Sequence, residues 1–245
     1  MRDDRTTEKR FERVSVRSGV AGIQCDHPFH VRSEQRDDFE MNARDLERLV
    51  PGSKAVEKAG QLIWTPPRGG HKLSGKKQKG KGDQAEGQES LFTVDRAFWF
   101  RGTKASPWYF EDNKDGIKFR APNWRLSWCH FRFIGEDAVT SMDEDGMLEH
   151  CTFQGKAGSD KCLQLNFANR VTVDNCRFWR FITAIQCGLE KYSKPYHNSV
   201  VSNCKFDDVE CAIKAVKGKV EEFGNEYKDG DCELIEVAGG KIKRR

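Results

Sequence analysis

The sequence predicts an all-β fold, a right-handed single-stranded parallel β-helix (a solenoid) with a mixed N-terminal cap region. Three observations predict it. An aliphatic-x-x-Cys-x-Phe motif recurs as Leu126–Phe131, Leu148–Phe153, Val173–Phe178 and Val201–Phe206, with cysteines 22, 25 and 28 residues apart. A small-aliphatic-polar triplet forms a second column: Gly116-Ile117-Lys118, Ala138-Val139-Thr140, Cys162-Leu163-Gln164, Ala184-Ile185-Gln186 and Ala212-Ile213-Lys214. No helical periodicity lies between the two columns. A motif repeating at a period in the twenties marks a solenoid, and two short strands per repeat without a helix favour a β-helix over a leucine-rich horseshoe.

Residues 1–12 read as a charged, disordered tail. Residues 13–70 read as an N-terminal cap or extension. Within it, Phe39, Leu46, Leu49 and Val50 have helical spacing, so a helix is expected over Arg36–Val50, ending before Pro51-Gly52. A helix there would shield the first edge of the coil. Residues 71–90, with Lys72, Lys76, Lys77, Lys79 and Lys81 among glycines, read as a basic loop. The β-helix itself is expected over 91–238. It has full turns from Leu126 to Val216, an earlier turn through Leu91–Phe100, and a partial one in Cys232–Val237. Residues 239–245 read as a basic tail.

One turn cannot bury its own apolar face; stacked turns share a continuous core. The motif cysteines are therefore expected as buried core thiols, since free cysteine behaves as a small hydrophobe. Asn175 and Asn203, at equivalent positions, are expected in turn or ladder hydrogen bonds. Trp99, Trp108, Trp124, Trp128 and Trp179 are expected mainly in packing, with Trp179 the best candidate for sugar stacking. His30, His71, His130, His150 and His197 show no ligand spacing.

Composition narrows the function. The chain has 245 residues, and 42 Lys+Arg against 38 Asp+Glu give a formal net charge of +4. That balance gives no general reason to expect nucleic acid as a partner. No apolar run is long enough for a transmembrane helix, and no secretory leader is visible at the start. No Cys-x-x-Cys pair suggests structural zinc. No phosphate loop or serine-histidine-acid pattern can be argued.

Equivalent residues of stacked turns lie about 4.8 Å apart, so the repeat is also a surface map. The residues before each triplet form the column Asp115, Asp137, Lys161, Thr183 and Cys211. Glu136 adjoins Asp137, and Asp160 adjoins Lys161. The triplets' polar residues form the column Lys118, Thr140, Gln164, Gln186 and Lys214. Asp115, Glu136 and Asp137 could hold a hard cation such as Ca²⁺, which takes several oxygen ligands in adaptable geometry. The plain alternative is a solvated row of charges in which Lys161 pairs with Asp137.

The segment from Asp115 to Tyr227 resembles the family 3 pectate lyases. The resemblance rests on Asp115-Gly-Ile117, Gly135-Glu-Asp-Ala-Val-Thr140, Lys156-Ala-Gly-Ser-Asp-Lys-Cys-Leu-Gln164, Val171-Thr-Val-Asp-Asn175, Asp207–Ile213 and Phe223-Gly-Asn-Glu-Tyr227. It implies a compact right-handed parallel β-helix that cleaves polygalacturonate or a related polyuronate by Ca²⁺-dependent β-elimination. It also implies Asp115, Glu136 and Asp137 as calcium ligands and Lys161 as the base that takes the C5 proton, for which its pKa must be lowered. Extracellular action on an acidic polysaccharide follows from the same resemblance. The family's Lys-x-x-Arg on the next rung is replaced by Thr183-Ala-Ile-Gln186. Gln164, Gln186, Lys214 and Arg180 are therefore the expected substrate contacts, with Lys214 or Arg180 compensating for the absent cation. The alternative is a catalytically impaired glycan-binding or structural β-helix, such as a surface or virion spike component. A hydrolase would need a carboxylate pair, and Asp137 with Asp160 is the one available. A monomer is expected, with a spike-like trimer as the alternative.

Overall fold

Parallel strands stack rung on rung to form a β-solenoid of about six turns in the computed structural model. The structure describes residues 22–25, 29–31, 42–75, 90–111, 115–156, 158–191, 198–228 and 232–245. Each turn contributes to three faces. The first holds Gln61–Thr65, Phe98–Arg101, Trp124–Ser127, Gly146–Glu149, Thr172–Asp174, Ser199–Ser202 and Lys219–Phe223. The second holds His71–Gly75, Trp108–Glu111, Cys129–Ile134 and Thr152–Gly155. The third holds Phe92–Val94, Ile117–Phe119, Val139–Ser141 and Lys161–Leu165. In later turns the strands Arg177–Cys187 and Lys205–Val216 run without a break from the second face onto the third.

The Cys-x-Phe motif builds the interior of the second face. Phe110, Phe131, Phe153, Phe178, Phe206 and Tyr227 occupy one register column. Successive rings stack with centroids 4.6, 4.9, 5.0, 5.2 and 5.3 Å apart. A rung spacing near 4.8 Å suits such stacking, so side-chain packing and backbone hydrogen bonding favour the same register.

The motif cysteines Cys129, Cys151, Cys176 and Cys204 are buried free thiols, as the repeat predicts. The Cys151 thiol is 3.5 Å from the Leu126 carbonyl, and the Cys204 thiol is 3.7 Å from that of Val173. Asn225 takes the next slot and donates from Nδ2 to the Val201 carbonyl at 3.1 Å. Each of these motif positions thus sends a donor to a backbone carbonyl of the preceding turn. Burial pushes the thiols of Cys129, Cys162 and Cys176 well above their ordinary pKa.

The residue before each motif cysteine turns the chain. Trp128, His150, Asn175 and Asn203 all have φ between 51 and 54°. Asn tolerates the left-handed region, whereas Trp and His bear a steric cost there. Trp128 and His150 stack on each other at 4.6 Å, which offsets part of it. A second corner carries Asn123, Asp145, Arg170 and Asn198, and a third carries Phe133, Arg180 and Asp208, all with positive φ.

The expected boundaries shift at both ends. The coil begins before residue 91, because Gln61–Thr65 and His71–Gly75 already pair in parallel with the next rung. Lys72 lies in that second strand and bonds Glu111 at 2.8 Å; the other lysines of the expected basic loop lie outside the described residues. Within the cap, the helix is Ala43–Leu49, closed by an Asn42–Asp45 capping box, with Leu46 and Val50 buried. The expected first part of that helix, 36–41, lies outside the described residues, as does the expected tail, 1–12. The expected basic C-terminal tail is a strand, Lys241–Arg244, paired with Lys219–Phe223. Ile242 packs against the core while Lys241 bonds Glu236 and Arg244 bonds the buried Glu222. Alternation of one apolar residue among paired cations makes a strand of what reads as a charge run.

His71 heads the column continued by Trp108 and Cys129. It is buried, and neither ring nitrogen has a hydrogen-bond partner among the described residues. Burial lowers its pKa. The unfolded chain therefore takes up this proton first, near the ordinary histidine pKa of about 6.5. Its contribution to stability is complete above that pH and is lost as pH falls below it. Denaturant midpoints at pH 8 and pH 5 should differ less in His71→Leu than in the parent; an equal pH response in both would show that His71 is not held neutral.

Candidate functional site

The outward side of the third face brings most of the expected residues together. Register pairing aligns Lys118 with Thr140, Thr140 with Gln164, Gln164 with Gln186, and Gln186 with Lys214. The row spans four rung intervals, about 19 Å. Beside it runs the second expected column. Lys161 pairs with Thr183 and Thr183 with Cys211, while the Asp137 amide donates to Asp115 Oδ1 at 3.4 Å. The strand pattern explains the placement. Ile117, Val139, Leu163, Ile185 and Ile213 turn inward to the core, so the residue that follows each must face out.

Asp115 and Asp137 approach closely because Gly116 permits it. A Cβ on Gly116 would collide with the backbone carbonyl of Ala138 on the next rung. Asp137 accepts from Thr140 Oγ1 at 3.2 Å. Burial pushes the Asp137 carboxyl up to about 7, with the neighbouring charges of Asp115 and Asp160 adding to the shift. Lys161 and the Thr140 bond oppose it. Glu136 stands exposed beside this pair.

Lys161 is half-buried and forms an ion pair with Asp160. Burial acts to lower its pKa, but Asp160, Asp137 and Glu136 outweigh burial and hold it above the ordinary lysine value. A base role needs the opposite direction, and the carboxylates around the ammonium are the reason for the difference.

Among the described residues, no group of three or more His, Cys, Asp or Glu side chains converges into a metal-holding cluster. What converges is a pair, Asp115 and Asp137, from adjacent rungs. This donor set fits a hard cation in part. Asp115 raises the proton affinity of Asp137, a repulsion that a positive charge between the two would offset, and Ca²⁺ would need further oxygens from ligand and water.

Gln186 is buried, and its Nε2 donates to the Gly188 carbonyl at 3.3 Å. Gln164 Nε2 donates to Asn166 Oδ1 at 3.1 Å. Both amides are thus fixed by a partner two residues on. Arg180 is not part of the row. It sits at the third corner, lies over Trp179 at 4.6 Å and reaches Asp208 at 3.5 Å. Its left-handed backbone and the Trp179 ring direct it elsewhere. Trp108 and Trp124 are core residues, whereas Trp99, Trp128 and Trp179 are partly exposed.

Sequence reasoning did not find the cleft beside the row. It has a volume of about 460 Å³ and is lined by Gln164, Gln186, Leu189, Glu190, Lys191, Lys214 and Val216. Its outer wall is residues 189–191, tied down by Lys217, whose Nζ donates to the Glu190 carbonyl. Gly188, with φ of 84°, turns the chain out of the strand at that point, and a glycine closing a strand is the one signal available beforehand.

No protein-family model and no curated protein matches this chain.

The close approach at Gly116 gives a test of how the pair is positioned. Gly116→Ala should lower stability by about 1–3 kcal/mol, the range for forced overpacking, measured by denaturant unfolding. A variant as stable as the parent would show that Asp115 and Asp137 do not depend on this contact.

Proposed function

We propose that this chain is a pectate-lyase-like β-solenoid that binds an acidic polysaccharide, a polyuronate, along the outward row of its third face and cleaves it by β-elimination. The observation that carries the reading is the joint alignment of two columns on one face. Asp115, Asp137 and Lys161 lie beside the row from Lys118 to Lys214. A ribbon of amide, hydroxyl and ammonium groups suits a linear, hydroxylated polyanion, and it stands beside the acidic and basic groups the chemistry needs.

Asp115 and Asp137, with Glu136 at the rim, would hold Ca²⁺, which would act as a Lewis acid toward the uronate carboxylate. Lys161 is the proton acceptor. For elimination the C5–H bond breaks toward Lys161, its electrons form the new C4=C5 double bond, and the C4–O bond breaks with its electron pair going to the leaving sugar's oxygen, which takes a proton from water. Lys161 must be neutral to accept the proton. Of the carboxylates that hold it charged, Asp137 and Glu136 are ones whose negative charge a bound cation would offset, and the Asp160 ion pair must open as well. Gln186 hydrogen-bonds the sugar but carries no charge.

A second reading is favoured by one observation, the Lys161–Asp160 ion pair. With Lys161 held as a cation and Gln186 where the resemblance implies an arginine, the same face would bind a polyuronate without cleaving it.

The two readings separate in an ultraviolet absorbance assay for the unsaturated product, on polygalacturonate with Ca²⁺ or with chelator. Calcium-dependent absorbance lost in Lys161→Ala, by a factor of about 10² or more, is the expected result. Folded protein that binds polygalacturonate and yields no unsaturated product would leave the binding reading in its place.

A further inference from the structure

The geometry points to the cleft between Gln186 and Lys214 as a pocket for a sugar carboxylate, with Lys214 as its cationic contact. This rests on the reading of the chain as a polyuronate binder and names the residue that performs the recognition.

The argument starts from the row. Its two inner glutamines are neutral and its cations stand at the ends, Lys118 and Lys214. These ends differ in surroundings. Lys214 opens onto a cleft of about 460 Å³ whose floor includes the buried Gln186. Val216 and Leu189 supply apolar walls, which lower the local polarity and strengthen a charge-assisted contact.

The glutamines set the chemistry of the ligand. Gln186 Nε2 is engaged with the Gly188 carbonyl, and Gln164 Nε2 with Asn166 Oδ1. Each amide is thereby oriented, which leaves its carbonyl oxygen to accept from a ligand and its second N–H to donate. Hydroxyl groups donate to such acceptors; a carboxylate does not. A ligand that places hydroxyls over the glutamines and a carboxylate at Lys214 suits these three groups, with Glu190 and Lys191 at the outer wall, and a uronate carries both. Lys217, donating to the Glu190 carbonyl, holds the outer wall in place before any ligand arrives. Such preorganisation lowers the ordering cost of binding. Lys214 is thus placed to supply the cation that Gln186 does not.

The test is calorimetric binding of a saturated oligogalacturonate and of its methyl ester to the full chain. It compares the parent with Lys214→Gln and Lys214→Arg. Lys214→Gln should weaken binding of the acid by about ten- to a hundredfold, the range for a hydrogen bond to a charged group, and change binding of the ester little. Lys214→Arg should recover most of the loss. Thermal melting of both variants checks that the strand Lys205–Val216 is intact. Equal losses for acid and ester in folded Lys214→Gln, or none for either, would overturn this assignment while leaving polyuronate binding in place. A parent that binds neither would overturn both.

Discussion

Everything in this molecule depends on rung-to-rung register. Parallel pairing fixes neighbouring strands about 4.8 Å apart, and the Phe110-to-Tyr227 column stacks at centroid distances of 4.6–5.3 Å. A one-residue slip in any turn would move its phenylalanine out of that column and expose it to solvent. The same slip would part Lys161 from Thr183 and Gln186 from Lys214. Core packing therefore specifies the surface row, although no residue of the row lies in the core.

Much of this was legible because the repeat is written twice per turn. The Cys-x-Phe motif and the small-aliphatic-polar triplet each mark one face. Together they gave the alignment of Lys118, Thr140, Gln164, Gln186 and Lys214 before any coordinates. The motif failed where another residue fills the same slot. His71-x-Leu73 and Trp108-x-Phe110 stand where Cys-x-Phe stands later, so the rung that holds His71 read as extension and loop, although the next one was placed in the coil. Asn225-x-Tyr227 closes the series at the other end. The third face also kept its cleft hidden, since a wall fixed by a Lys217 side chain on a Glu190 carbonyl leaves no pattern in sequence.

Corners were the harder part. Turn chemistry favours Gly, Asn and Asp, yet Trp128, His150, Arg170 and Arg180 also adopt left-handed backbone here. Stacking of Trp128 on His150 and the Arg170–Asp145 ion pair offset that strain through side-chain contacts along the coil. Arg180 illustrates the cost to inference. Counting three residues back from Thr183 put it near the sugar, whereas the corner turns it toward Trp179 and Asp208.

The electrostatics of the row bear on both binding and cleavage. Asp137 is pushed up to about 7 by burial and by Asp115 and Asp160, while Lys161 is held charged by Asp160, Asp137 and Glu136. One cation at Asp115 and Asp137 would offset the charge of Asp137 in both. The most direct measurement is therefore a crystal structure with Ca²⁺ and a saturated oligogalacturonate. The account predicts calcium with carboxylate oxygens of Asp115 and Asp137 at about 2.3–2.6 Å and the sugar chain lying along the row toward Lys214. Calcium bound elsewhere, or sugar on either of the other two faces, would contradict it.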